Sequence, residues 1–155
     1  MELEHILSKD CVVPCAKVTS KRQLLQLAAD RAAEKTGLDA HLIFHTLVER
    51  EKCGSTGLGN GIAVPHGKMQ GIDRVLGLFI RLDRAIDFDA VDEVLVDLVF
   101  VLLAPQGAGA DHLKALSRIA RTLREEGLVE QLRATREADK LYALLVEPQR
   151  TNNAA

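Results

Sequence analysis

Residues 54–68 read Gly-Ser-Thr-Gly-Leu-Gly-Asn-Gly-Ile-Ala-Val-Pro-His-Gly-Lys, and the fold is organised around this stretch. Glycines at 54, 57, 59, 61 and 67 let the backbone reach positive φ and approach a ligand or a docked surface closely. Pro65 fixes its own φ and pushes Val64 into extended geometry. Ile62-Ala63-Val64 therefore reads as a short strand. His66 is expected just past its end, with Gly67 leaving space for something to approach the ring. This is how a chain would present a reactive imidazole.

Phosphate-binding glycine motifs do not fit. Gly57-Leu58-Gly59-Asn60-Gly61 has the wrong spacing for a dinucleotide fingerprint, and a strand rather than a helix follows it. Gly67-Lys68 does not end a Walker loop, because Met69 stands where Ser or Thr is required. The chain of 155 residues reads as one domain with 47% hydrophobic and 27% charged residues. A net charge of −2 without any basic block argues against a nucleic-acid partner. The apolar run 94–104 is interrupted by Asp97 and too short to cross a bilayer, and the acidic start MELEHILSKD has no signal core. Cys11, Cys15 and Cys53 form neither a zinc spacing nor a redox pair, as expected of a cytoplasmic protein.

In chain order, residues 1–10 make a short amphipathic turn, and Cys11–Val13 a strand ended by Pro14. Ser20 starts a helix as half of a capping box with Gln23, and Gly37 stops it. Asp39 caps a second helix that ends near Lys52, with Leu38 and Ile43 placed as a hydrophobic staple. Arg50 falls in its last turn, where a cation suits the helix dipole. Residues 75–82 read as a strand, 83–93 as an acidic connection, and 94–103 as a central strand covered on both faces. Asp111 is expected to cap a helix reaching Glu126, ended by Gly127. Short helices over 128–133 and 136–146 follow, and 148–155 is a polar tail expected to be disordered. Helices flanking a small mixed sheet in a single α/β domain is the economical architecture.

Histidine chemistry suits a relayed phosphoryl group, since neutral imidazole is available near pH 7 and the resulting N–P bond is labile. His112 lies in the first turn of the helix expected at Asp111, where free N–H groups welcome phosphate. Ser55, Thr56, Gly59, Asn60 and Gly67 are candidate phosphate- or partner-contacting positions, although Ser55 and Thr56 also read as turn hydroxyls. Lys68 reads as a solvated side chain. His41, His45 and Glu49 share a helix face but have no fourth ligand, and read as polar surface.

The run Arg50-Glu51-Lys52 followed by the glycine segment resembles the phosphorylation-site segment of the mannitol/fructose-type IIA proteins of the phosphoenolpyruvate phosphotransferase system. Within that family it is most similar to the nitrogen-related branch. The likeness continues through Ile86-Asp87-Phe88-Asp89-Ala90, the 94–103 strand and Asp111-His112-Leu113, and spans about residues 3–147. It implies a domain over 1–147 with that family's α/β sandwich fold, and a phosphohistidine carrier rather than an independent enzyme. It implies that His66 accepts the phosphoryl group on Nε2, that His112 hydrogen-bonds the phosphate, and that Arg50 supplies charge beside it. An HPr-like phosphocarrier is the implied donor and regulated proteins the implied output, with no cofactor or metal. A sugar-specific IIA feeding a IIB domain is the alternative within the same chemistry. A non-catalytic binding module is the alternative of another class. Asp111 departs from the pattern, which often has a hydroxyl residue there, and is expected to point into the cap.

Overall fold

The computed structural model describes residues 2–147, so the expected tail over 148–155 lies outside the described residues. The strands are β1 (Val12–Ala16), β2 (Gly57–Gly59), β3 (Ile62–Ala63), β4 (His66–Met69), β5 (Leu76–Ile86) and β6 (Val96–Pro105). The helices are α1 (Lys21–Thr36), α2 (Ala40–Lys52), α3 (Gly109–Thr122), α4 (Glu126–Ala134) and α5 (Ala138–Val146). The strands form one mixed six-stranded sheet. β6 pairs antiparallel with β5 on one side and parallel with β3 and β4 on the other. β1 runs parallel along the outer side of β5, and β2 closes the opposite edge against β3.

As its apolar sequence requires, β6 is the centre of the core: Leu98 to Leu102 are wholly buried, as are Phe79 and Ile80 on β5. Each such side chain contributes about 1.5–3 kcal/mol. An exposed pair such as Lys35–Asp10, at 3.0 Å, contributes about 1 kcal/mol or less. Apolar burial therefore dominates the stability. Among the described residues no helix is long and apolar enough to cross a membrane.

The sequence-based boundaries need several corrections. β1 runs through Pro14 instead of ending there, which an edge strand tolerates because no neighbour requires that N–H. β5 continues to Ile86, into the segment expected to be a connection, and β6 begins only at Val96 because Val94 and Leu95 are exposed. Arg81, read as one letter of an apolar strand, is buried. It donates to the carbonyls of Pro14, Leu132 and Arg133, so the last turn of α4 satisfies its charge. The cap of α3 is Ala108; Asp111 is an exposed first-turn residue, not the cap. Gly127 belongs to the first turn of α4 and ends nothing.

Other local signals hold. Ser20 Oγ accepts from Gln23 N at 3.1 Å, although the Gln23 side chain answers to Thr19 N instead of Ser20 N. Gly37 ends α1 at φ 77° and Asp39 caps α2. Gly61 turns the chain from β2 into β3 at φ 82°, and a Cβ there would lie 2.6 Å from Arg133 Nη2. Arg133 is held by Asp97 at 2.9 Å and itself donates to Asn60 O at 2.6 Å. Gly61→Ala is expected to lower stability by about 1–3 kcal/mol through left-handed backbone strain and displacement of Arg133, measured by urea unfolding.

Candidate functional site

The line of β3 and β4 along β6 is interrupted at Val64-Pro65 yet keeps its register. Ile62 lies opposite Leu98 and His66 opposite Leu102. His66 thus begins a new strand, where a position just past a strand end was expected. Pro65 removes one ladder donor, while its carbonyl still accepts from Leu102 N at 2.9 Å. The break lets the imidazole fold back so that Nδ1 lies 2.8 Å from Val64 O. A carbonyl only accepts, so Nδ1 carries the proton and the neutral ring keeps its lone pair on Nε2.

The His112 ring stands beside it, with centroids 5.3 Å apart and planes tilted by 52°. Parallel pairing of β3 and β4 with β6 brings the two histidines together, because α3 starts just after β6 ends. His112 is 7% exposed, and its Nε2 is buried without a hydrogen-bond partner among the described residues. An unpaired buried polar nitrogen costs about 1–3 kcal/mol, so it marks a place prepared for a polar group. The His112 backbone N–H is already used, donating to Ala108 O at 2.8 Å. Only its ring is left to bind anything.

Burial pushes the His66 imidazole below the usual value of 6.5; the Val64 carbonyl and Glu51 pull it upward, while Arg50 depresses it further. His112 is lowered by burial first, then by the charges of His66 and Lys68. Arg50 is therefore within electrostatic reach of His66, and its Nη1 donates to Gly54 O at 2.9 Å. Lys68 is on the same face of β4 as His66, two residues on, and its charge is felt at His112.

The other candidates divide. Ser55 is half-buried; its hydroxyl donates to Phe88 O at 3.4 Å and accepts from Gly57 N at 3.2 Å. Thr56 is buried, with its hydroxyl and N–H both bound to the Glu51 carboxylate. Gly67 was expected to open space for a visitor, but a Cβ there would meet Thr46 Cγ2 of α2 at 2.7 Å. Its role is to let that helix pack against β4. Gly59 and Asn60 lie at the far end of the line, four residues of β6 or roughly 13 Å from His66. There Asn60 N donates to Asp92. A partner that touched these two and His66 at once would have to span that distance. His41, His45 and Glu49 are exposed, and Glu49 pairs with Lys52 at 2.9 Å.

Sequence reasoning passed over Glu51 and Lys21, which pair at 2.8 Å beneath the glycine loop. A signal existed: a carboxylate in the last turn of a helix opposes the dipole, so Glu51 needed a partner elsewhere.

The model of the family described as phosphoenolpyruvate-dependent sugar phosphotransferase system, EIIA 2, matches residues 5–147. The chain belongs to this family. A nitrogen regulatory protein of Bradyrhizobium diazoefficiens is 49% identical to this EIIA chain, covering 97% of it and 99% of the relative. A fructose-specific EIIA component of Haloferax volcanii is 36% identical over 86% of the chain and 85% of the relative. Among solved structures, the nitrogen regulatory protein IIA-Ntr of Neisseria meningitidis matches with a TM-score of 0.88 and 36% identity, covering 92% of this chain and 98% of that one. The expected fold and family both hold, as does the kinship with nitrogen regulatory proteins.

The half-buried His66 and the buried His112 also contribute to the acid behaviour of this EIIA domain. Each is depressed in the folded chain and returns toward 6.5 on unfolding. Between the folded and unfolded values the unfolded chain binds more protons, so stability falls as pH drops below 6.5 and levels off once the folded rings are protonated too. Denaturant unfolding at about pH 7.5 and about pH 5.5 should show a smaller loss for the His66→Gln/His112→Gln double variant than for wild type.

Proposed function

We propose that the protein is a cytoplasmic phosphoryl carrier that receives the group on His66 Nε2 from an HPr-like phosphocarrier, and that its phosphorylation state controls regulatory target proteins. The observation that carries this reading is the His66 ring bound through Nδ1 to Val64 O, with the unpartnered His112 Nε2 beside it. The Nε2 lone pair attacks the donor's phosphorus. The donor's P–N bond breaks, and its electron pair returns to the donor ring. The proton stays on His66 Nδ1, where Val64 O accepts it while the ring gains positive charge. Arg50 disfavours a charged ring alone but favours the ring with its phosphoryl dianion attached, so it selects for the phosphorylated state. His112, neutral before transfer, donates from Nε2 to a phosphoryl oxygen. Likeness to nitrogen regulatory proteins along nearly the whole chain supports the regulatory output.

The fructose-specific relative supports a second reading, in which the group passes to a IIB domain. Incubating the phosphorylated protein with candidate IIB proteins separates the two, because a purely regulatory carrier labels none of them.

With phosphoenolpyruvate, Enzyme I and an HPr-type donor, wild type should acquire an acid-labile label and His66→Ala none. Arg50→Gln and His112→Gln should each slow labelling by about 10- to 100-fold, the value of one charge-assisted contact of roughly 1.5–3 kcal/mol. A label that persists on His66→Ala overturns the assignment.

A further inference from the structure

Lys21, the first residue of α1, reaches beneath the glycine loop. Its Nζ lies 2.8 Å from Glu51 Oε1, donates to Phe88 O at 3.2 Å, and stands 4.3 Å from the centre of the Phe88 ring. The Glu51 side chain is only 5% exposed. One of its oxygens also accepts from Thr56 N at 3.3 Å, and the other accepts the Thr56 hydroxyl. The Thr56 carbonyl in turn accepts from Val64 N at 3.0 Å. The Val64 carbonyl, at the other end of the same residue, receives His66 Nδ1 at 2.8 Å. A continuous run of contacts thus leads from the start of α1, through Glu51, Thr56 and Val64, to the imidazole.

A buried ion pair is a poor way to gain stability. Desolvating both charges costs several kcal/mol, and an apolar pair of similar volume often does better. What this pair supplies is direction. Glu51 grips both donors of Thr56 and so anchors that residue. The Thr56 carbonyl, in the next peptide unit, anchors the Val64 N–H. Val64 then presents its own carbonyl, in the peptide it shares with Pro65, to the ring. A Val64 carbonyl free to turn would let the ring swing, or exchange its proton between the two nitrogens. The charge of Glu51 also reaches the ring and favours its protonated form, against Arg50.

We propose that Glu51 is a positioning residue for the reaction at His66: through Thr56 and the Val64 peptide it holds the ring as the Nδ1-protonated tautomer, with Nε2 free for the incoming phosphorus. The inference rests on the carrier reading above for its purpose, but not for its test. No proton travels along the run; the hydrogen bonds only orient.

The test compares wild type, Glu51→Gln, Thr56→Val and Thr56→Ser. Ring nitrogen chemical shifts of nitrogen-15-labelled histidine, assigned with a His66→Ala control, report the tautomer in unphosphorylated protein held above the titration of the ring. Initial labelling rates over a range of phosphorylated HPr-type donor concentrations report kcat and KM. Wild type should show His66 with Nδ1 protonated and Nε2 bare. Glu51→Gln and Thr56→Val should give a mixture of tautomers and a kcat lowered at least tenfold, with KM within about twofold; Thr56→Ser should restore both. Folded variants with wild-type tautomer and kcat overturn the proposal, as does loss of cooperative unfolding in both Glu51→Gln and Thr56→Val, which would assign the network to stability alone. Wild-type protein that takes no phosphoryl group overturns the carrier reading instead, and the tautomer comparison, which needs no donor, still decides the role of Glu51.

Discussion

The contact between His66 Nδ1 and the Val64 carbonyl is the constraint on which the site depends. A free imidazole exchanges its proton between two nitrogens and turns about two torsions. Here a backbone acceptor two residues earlier removes much of that freedom. The carbonyls of Gly61 and Pro65 face β6, so the Val64 carbonyl between them points away from that ladder and is available to the ring. Proline, carbonyl and imidazole therefore act as one local device. The parallel neighbour β6 holds it in place on one side, and the packing of Thr46 against Gly67 on the other.

The electrostatics around this device are opposed by construction. Arg50 and Glu51 are consecutive in the last turn of α2, and their charges act on the His66 ring with opposite sign. Burial dominates both and keeps the ring neutral and nucleophilic. The balance changes when a dianion is added: the cation then gains an attractive partner, and the carboxylate is already committed to Lys21 and Thr56. On the proposed carrier reading, the same site favours an uncharged ring before transfer and tolerates a charged one after it.

Much of this was legible in the residue pattern. The glycine segment, Pro65 and His66 identified the centre; Ser20, Gly37 and Asp39 identified helix ends; the run 94–103 identified the middle strand. What could not be read was which way small residues face. Gly67 looks in sequence like space for a ligand and is in fact space for a helix, since one-dimensional order does not say what packs behind a strand. Gly59 and Asn60, close to His66 in the chain, lie at the far end of the line because neighbours separate quickly when the backbone runs extended. Boundaries slipped where tertiary pairing overruled local punctuation, as at Pro14 on an edge strand and Gly127 inside α4. Glu51 was visible as a letter, but its importance appears only when Lys21, thirty positions earlier, is brought beneath it.

Arg50 and Glu51 grip the same short loop at two points, one at Gly54 and the other at Thr56, and the loop then returns through Val64 to the ring. On the proposed carrier reading, the number of residues between these anchors is therefore part of the mechanism. A single added or deleted residue anywhere from 51 to 64 would break the closed circuit even with every functional side chain still present. Among family members, the length of this interval should be more resistant to drift than the identity of most residues inside it, and a chain that keeps the histidine but changes the interval should have given up the relay.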